Sequence, residues 1–130
     1  GTCVQFFRRE TIDGIRFDPL LGPGTDLPYG CGEDTDFLLY VHARTIVRRY
    51  RKIRVFHPSP KDALPLAQKV ANYAAGRMYL LKKHNFSKLF VLFNVLYPLC
   101  LVPVDALRYG KAHALYRWRM FRERLRNWYL

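Results

Sequence analysis

Apolar and polar positions fall into three regimes along the chain. The opening Cys3-Val4-Gln5-Phe6-Phe7 is short, apolar and aromatic, which predicts a buried strand, and Arg8 to Ile15 predicts one or two turns of helix. Phe17 to Thr25 is thick with Gly and Pro and predicts a shaped loop that ends at Tyr29-Gly30-Cys31-Gly32. From Glu33 to about Tyr50 the apolar residues Phe37, Tyr40, Val41, Ile46, Val47 and Tyr50 recur at roughly helical spacing. Three acids, Glu33, Asp34 and Asp36, open that helix, where its dipole favours negative charge. A short strand, Ile53-Arg54-Val55-Phe56, follows and stops at His57-Pro58-Ser59-Pro60, because proline cannot donate to a ladder.

A second helical rhythm runs from Lys61 to Lys83 through Leu64, Ala67, Ala71, Ala74, Ala75, Met78 and Leu81. Leu89 to Val104 is then a sixteen-residue stretch without a charge, containing Pro98 and Pro103. The pattern predicts two regions, an α/β part over residues 1–60 and a mainly α tail over residues 61–130.

Charge sharpens this division. Residues 1–60 hold nine basic and seven acidic side chains, a net of +2, whereas residues 61–130 hold thirteen and three, a net of +10. A net +12 on a chain that is half apolar argues against simple disorder and implies a polyanionic neighbour. Cys3, Cys31 and Cys100 form no C-x-x-C pair, so reduced thiols in a cytoplasmic milieu are expected. His42, His57, His84 and His113 are spaced too widely along the chain for a zinc cluster. Gly1 and Thr2 begin no charged start followed by an apolar run, so the sequence is expected to be a fragment or a processed product.

The candidate chemistry lies in an ordered set of motifs. Phe17-Asp18-Pro19-Leu20-Leu21-Gly22-Pro23-Gly24-Thr25 precedes Gly32-Glu33-Asp34-Thr35-Asp36-Phe37, and Val55-Phe56-His57-Pro58 comes some twenty residues later. This set resembles the C-terminal part of family-two glycosyltransferases of the GT-A fold, with their F-D-x-x-L-G-x-G and G-E-D-x-D patterns, over about residues 2 to 60. The resemblance implies an α/β fold, the C-terminal fragment of a GT-A domain. It implies inverting transfer of a sugar from a nucleotide-sugar donor to a glycan or lipid-linked acceptor, in cell-envelope glycan or glycolipid synthesis. It also implies that the nucleotide-binding half, with its D-x-D site for a divalent metal (Mn or Mg), is missing, so that this chain alone is inactive.

Carried onto this sequence, the resemblance makes Asp34 the general base and gives Glu33 a part in orienting base or acceptor. Such a base must be ionised to take a hydroxyl proton, and a first helical turn keeps a carboxylate charged. Gly22, Gly24, Thr25, Gly32, Asp36 and Arg44 are the expected substrate-binding positions, and glycines there let backbone approach a bulky sugar. His57 resembles a position near metal and diphosphate. Many family members carry Arg a turn after the acidic motif; here Tyr40 stands at that place, and Arg44 is the next cation along the same face. Each residue also has a plain structural reading: acids at a helix start as caps, Asp36 as a support of the fold, His57 as a strand-end residue.

The tail suits a membrane. Sixteen apolar residues fall short of the roughly 20 that cross a bilayer, and a single crossing would put one basic flank on the wrong side. A re-entrant or interfacial arrangement at the cytoplasmic face of the plasma membrane is therefore expected, with aromatic residues and cations meeting anionic headgroups. The opposing reading is that Leu89 to Val104 forms the buried core helix. Basic nucleic-acid binding and a non-catalytic membrane adaptor are the alternatives from other classes. No nucleic-acid-binding signature is present, so nucleic acid is not an expected partner.

Overall fold

A computed structural model describes residues 5–48 and 67–128. Five helices account for 67% of these residues: α1 (Arg9–Ile12), α2 (Glu33–Arg44), α3 (Ala67–Lys83), α4 (Lys88–Tyr109) and α5 (Lys111–Arg126). Among the described residues there is no strand, only an isolated bridge between Pro23 and Thr25. The α/β expectation is thereby corrected to a predominantly α fold. The expected strand Ile53–Phe56 and the boundary near His57 lie outside the described residues.

The physical reason is visible at Phe7. A short apolar run demands burial but does not specify the secondary structure that provides it. Phe7 satisfies the demand by packing on a cluster of Ile15, Phe37 and Val41, with its ring edge-on to Phe37 at 5.4 Å between centroids. No neighbouring strand is needed.

Helix α2 starts where expected and ends early. Gly32 supplies the left-handed cap (φ 107°), and its carbonyl accepts from the Asp36 amide at 2.8 Å. The helix stops at Arg44 because Thr45 turns extended, at φ −154° and ψ 166°, at the head of a β-branched Thr-Ile-Val run that crowds a helical backbone.

Helix α3 buries Val70, Ala74, Ala75, Met78 and Leu81, spaced as one helical stripe. It ends in a Schellman arrangement. Asn85 is left-handed (φ 51°), its amide donates to the Lys82 carbonyl at 2.9 Å, and the Phe86 amide reaches back to Leu81 at 3.0 Å. Ser87 then caps α4 by accepting from the Phe90 amide at 3.3 Å.

Helix α4 runs unbroken through Pro98 and Pro103 and turns at Gly110 (φ 86°) into α5. The two helices form a hairpin, fixed by the Arg117 to Asp105 ion pair at 2.7 Å. Met78, Leu81, Val91 and Val95 make the core between α3 and this hairpin, with Phe86, Phe121 and Trp128 around it. The opposite face of α4 is bare: Leu89 is 76% exposed and Phe93 56%. Helix α4 is long and apolar enough to cross a membrane; among the described residues 22% of its apolar stretch is buried, so one face, with Val91 and Val95, serves the core while the rest lies uncovered.

Candidate functional site

The Gly-rich loop, the start of α2 and the first half of α3 flank an open cleft of about 550 Å³, lined in part by Gly22, Gly24, Thr25, Cys31, Glu33 and Asn72. Its shape depends on glycine. Gly22 has φ 99°, a conformation strained for any other residue, and a Cβ there would stand 3.1 Å from Glu33 Cδ, so the Glu33 side chain would have to shift to admit it. Gly76 of α3 has no room for a Cβ either, because the Cys31 carbonyl oxygen already occupies the space. That approach sets α3 directly against the loop.

Glu33 is the distinctive group. Its Oε2 is buried and has no hydrogen-bond partner, and a buried polar atom left unmatched costs about 1 to 3 kcal/mol. Because Glu33 also lines the cavity, a turn of its carboxylate would bring this oxygen within reach of a ligand hydroxyl that supplies the missing donor. Asp34, next along the helix, is half-buried, and its Oδ1 accepts from the Thr35 hydroxyl at 3.4 Å. Both carboxylates act on Cys31. Burial first, then the charges of Glu33 and Asp34, push that thiol up to about 11, against the opposing pull of Arg77 and Arg124.

Of the sequence-predicted residues, Gly22, Gly24, Thr25 and Glu33 come together in this cavity, whereas Asp34, the expected base, stands next to Glu33 on α2 and is not one of the lining residues. Thr25 also braces the loop, its hydroxyl accepting from the Leu27 amide at 2.9 Å. Gly32 serves as the cap of α2, packed near Leu80 and Leu21. Asp36 points elsewhere: fully buried, it receives Lys83 Nζ at 2.8 Å and bonds His84 Nε2 at 2.7 Å. Lys83 also holds Asp18 at 2.6 Å, and the Tyr79 hydroxyl donates to the same Asp18 oxygen at 3.3 Å. One acid of each motif, Asp18 and Asp36, is thus gripped by the end of α3, which is the supporting role weighed for Asp36.

Arg44 donates to the Asp13 carbonyl at 2.6 Å and lines a separate cavity of about 360 Å³ with Arg16, Tyr40 and Lys83. His57 lies outside the described residues. Among the described residues no group of three or more His, Cys, Asp or Glu side chains is placed to hold a metal ion. Sequence reasoning missed Gln68, Lys69, Asn72 and Tyr73, which form the α3 wall of the main cavity. Gln68 donates to Asn72 at 2.8 Å, and the Lys69 ammonium sits 5.5 Å from the Tyr73 ring centroid. Their spacing, two adjacent pairs one turn apart, is the signal that could have found them.

No protein family, curated protein or solved structure matches the chain.

Proposed function

We propose that this chain is the acceptor-side part of an inverting, nucleotide-sugar-dependent glycosyltransferase acting at the cytoplasmic face of a membrane. The observation that carries the reading is the unpartnered Glu33 oxygen, buried at the start of α2 beside a cavity built from glycine-rich backbone. Sugars and glycans present hydroxyl donors, and this oxygen is an acceptor without one.

In this reading the acceptor hydroxyl is oriented by Glu33, and its proton passes to the Asp34 carboxylate. The freed oxygen attacks the anomeric carbon, the bond to the nucleoside diphosphate breaks, and the diphosphate leaves with the bonding pair. Glu33 and Asp34 sit in the first turn of α2, where unpaired amides and the helix dipole stabilise negative charge. The bare face of α4 and its flanking Lys82, Lys88, Arg108 and Lys111 support work at a bilayer surface.

The test is transfer of labelled sugar by membranes of cells expressing the gene that encodes this chain. Asp34→Asn is expected to lower the rate by about 100- to 10,000-fold with the protein still folded. Retention of more than about a tenth of the rate removes Asp34 as the base, since loss of a positioned base costs far more than that. Glu33→Gln keeps the shape but halves the acceptor capacity, and a rise in acceptor KM larger than the fall in kcat is expected.

A further inference from the structure

Helices α3 and α5 each bring an arginine to Asn94 of α4. Arg77 donates through Nε and Nη2 to Asn94 Oδ1 at 3.2 and 3.1 Å. Arg124 donates through Nη1 to the Asn94 carbonyl oxygen at 2.6 Å. Asn94 is fixed in turn, its Nδ2 donating to the Phe90 carbonyl at 2.9 Å.

This node has positive charge in excess of its partners. Neither arginine forms an ion pair among the described residues, and Arg124 Nε is buried with no hydrogen-bond partner. Both residues are partly buried and meet on one asparagine, and burial first, then the Arg77 charge, works against the charge on Arg124. Guanidinium groups stay protonated in proteins, so the repulsion is not relieved by loss of a proton. An anion bound between them removes the repulsion and satisfies the orphan donor at once.

The chemistry of that anion follows from the donors. Two guanidinium groups present more N–H bonds than one carboxylate can accept, whereas a phosphate end offers three oxygens to planar forks. The node also has a known neighbour: Gly76, next to Arg77 on α3, lies directly against the Cys31 carbonyl and thiol, and Cys31 lines the cavity that holds Glu33.

We propose that Arg77 and Arg124, aligned by Asn94, bind a phosphate group of a ligand that reaches the helix bundle beside Cys31. The phosphate arrives on a soluble ester or diphosphate, or on the headgroup of a lipid held at the α4 face. Nothing in the assignment requires sugar transfer, so it stands or falls apart from the reading above.

The test uses the full chain in non-ionic detergent. Inorganic pyrophosphate is titrated by calorimetry, and in a second arm the chain is floated with phosphatidylcholine vesicles containing phosphatidic acid. Saturable binding is expected in at least one arm, and which arm identifies the source. Arg77→Gln and Arg124→Gln should each weaken it by about ten-fold or more. The exposed arginines of α5 serve as controls, and Arg119→Gln and Arg122→Gln should change it by less than about two-fold. Arg77→Lys and Arg124→Lys keep the charge, lose the fork and should also weaken binding. No saturable binding in either arm, or equal losses in the controls, overturns the proposal. If circular dichroism shows the glutamine variants unfolded, the lysine variants decide, and unchanged affinity in both overturns it.

Discussion

Lys83 is the residue on which the loop and α2 both depend. One ammonium group serves the carboxylates of Asp18 and Asp36, and Asp36 has no access to water. Removing a single partner from a buried pair costs about 3 to 5 kcal/mol, because the remaining charge is left unmatched. Lys83→Met is therefore expected to lower unfolding stability by about that amount in chemical denaturation. Lys83→Met/Asp36→Leu should recover part of it. The pH dependence has two edges. Burial works against the Lys83 charge, but the bonds to Asp18 and Asp36 outweigh it and hold its pKa above the ordinary 10.5. That contribution is complete below 10.5 and fades as pH climbs through the raised value. Burial likewise pushes Asp18 up, yet Lys83, the Leu20 amide and the Tyr79 hydroxyl bring it net below 3.8. Its contribution is complete above 3.8 and is lost as pH falls further. Between those edges a denaturant midpoint insensitive to pH at Lys83 is expected, with both slopes flattened in Lys83→Met.

The same scale gives a reactivity prediction. With Cys3→Ser and Cys100→Ser leaving Cys31 as the single thiol, alkylation should be slow near neutral pH and accelerate only toward pH 11, where the thiolate forms. Ready labelling at neutral pH would show that Cys31 is neither buried nor flanked by the two acids.

At the scale of elements, the approach of α3 to the loop rests on one missing side chain. Gly76 lies mid-helix, where glycine costs about 1 kcal/mol relative to alanine. Its retention is explained by the Cys31 carbonyl, which a Cβ would strike. Gly76→Ala should raise helix propensity and still destabilise the protein, with a fall in melting temperature and increased exposure of Cys31 to alkylation. Helix α4 carries the corresponding prediction for the bilayer. Its length is about 33 Å at 1.5 Å per residue, comparable with a hydrocarbon core of about 30 Å. Replacing the exposed Phe90 and Phe93 by Ser should shift vesicle binding toward salt sensitivity, since the apolar share falls while Lys88, Arg108 and Lys111 remain. Sedimentation with anionic vesicles at low and high salt reads the shift; unchanged salt release would place the contact elsewhere than on this face.

For the whole molecule, the sequence was most legible where one residue imposes one geometry. Gly32 before three acids announced the start of α2, and the uncharged run announced an apolar helix. Extent was less legible: α2 ends at Arg44 because of the Thr-Ile-Val run, and α4 continues through two prolines that read as interruptions. Of the strand expected over Cys3–Phe7, the described part, residues 5–7, takes another form because Phe7 is half-buried by packing its ring on Phe37, while Cys3 and Val4 lie outside the described residues. In the candidate site, Glu33 and the glycines stood out through a motif, whereas the α3 wall offered only the spacing of Gln68–Lys69 and Asn72–Tyr73, which marks a polar face without saying that the loop lies on it. Pairings across long sequence separation, Lys83 with Asp18 above all, leave no local mark.

That last pairing also dictates an order of events during synthesis. A chain leaves the ribosome from its N-terminus, and Asp18 emerges long before the lysine that will hold it, 65 positions later. Until then the glycine loop and the acids of α2 have no anchor, and Glu33 has no finished cavity to occupy. Lys83 is followed closely by Ser87 and the first turn of the apolar α4. The latch on the cavity and the helix long and apolar enough to cross a membrane therefore appear almost together, so the cavity is assembled only as that helix begins to emerge.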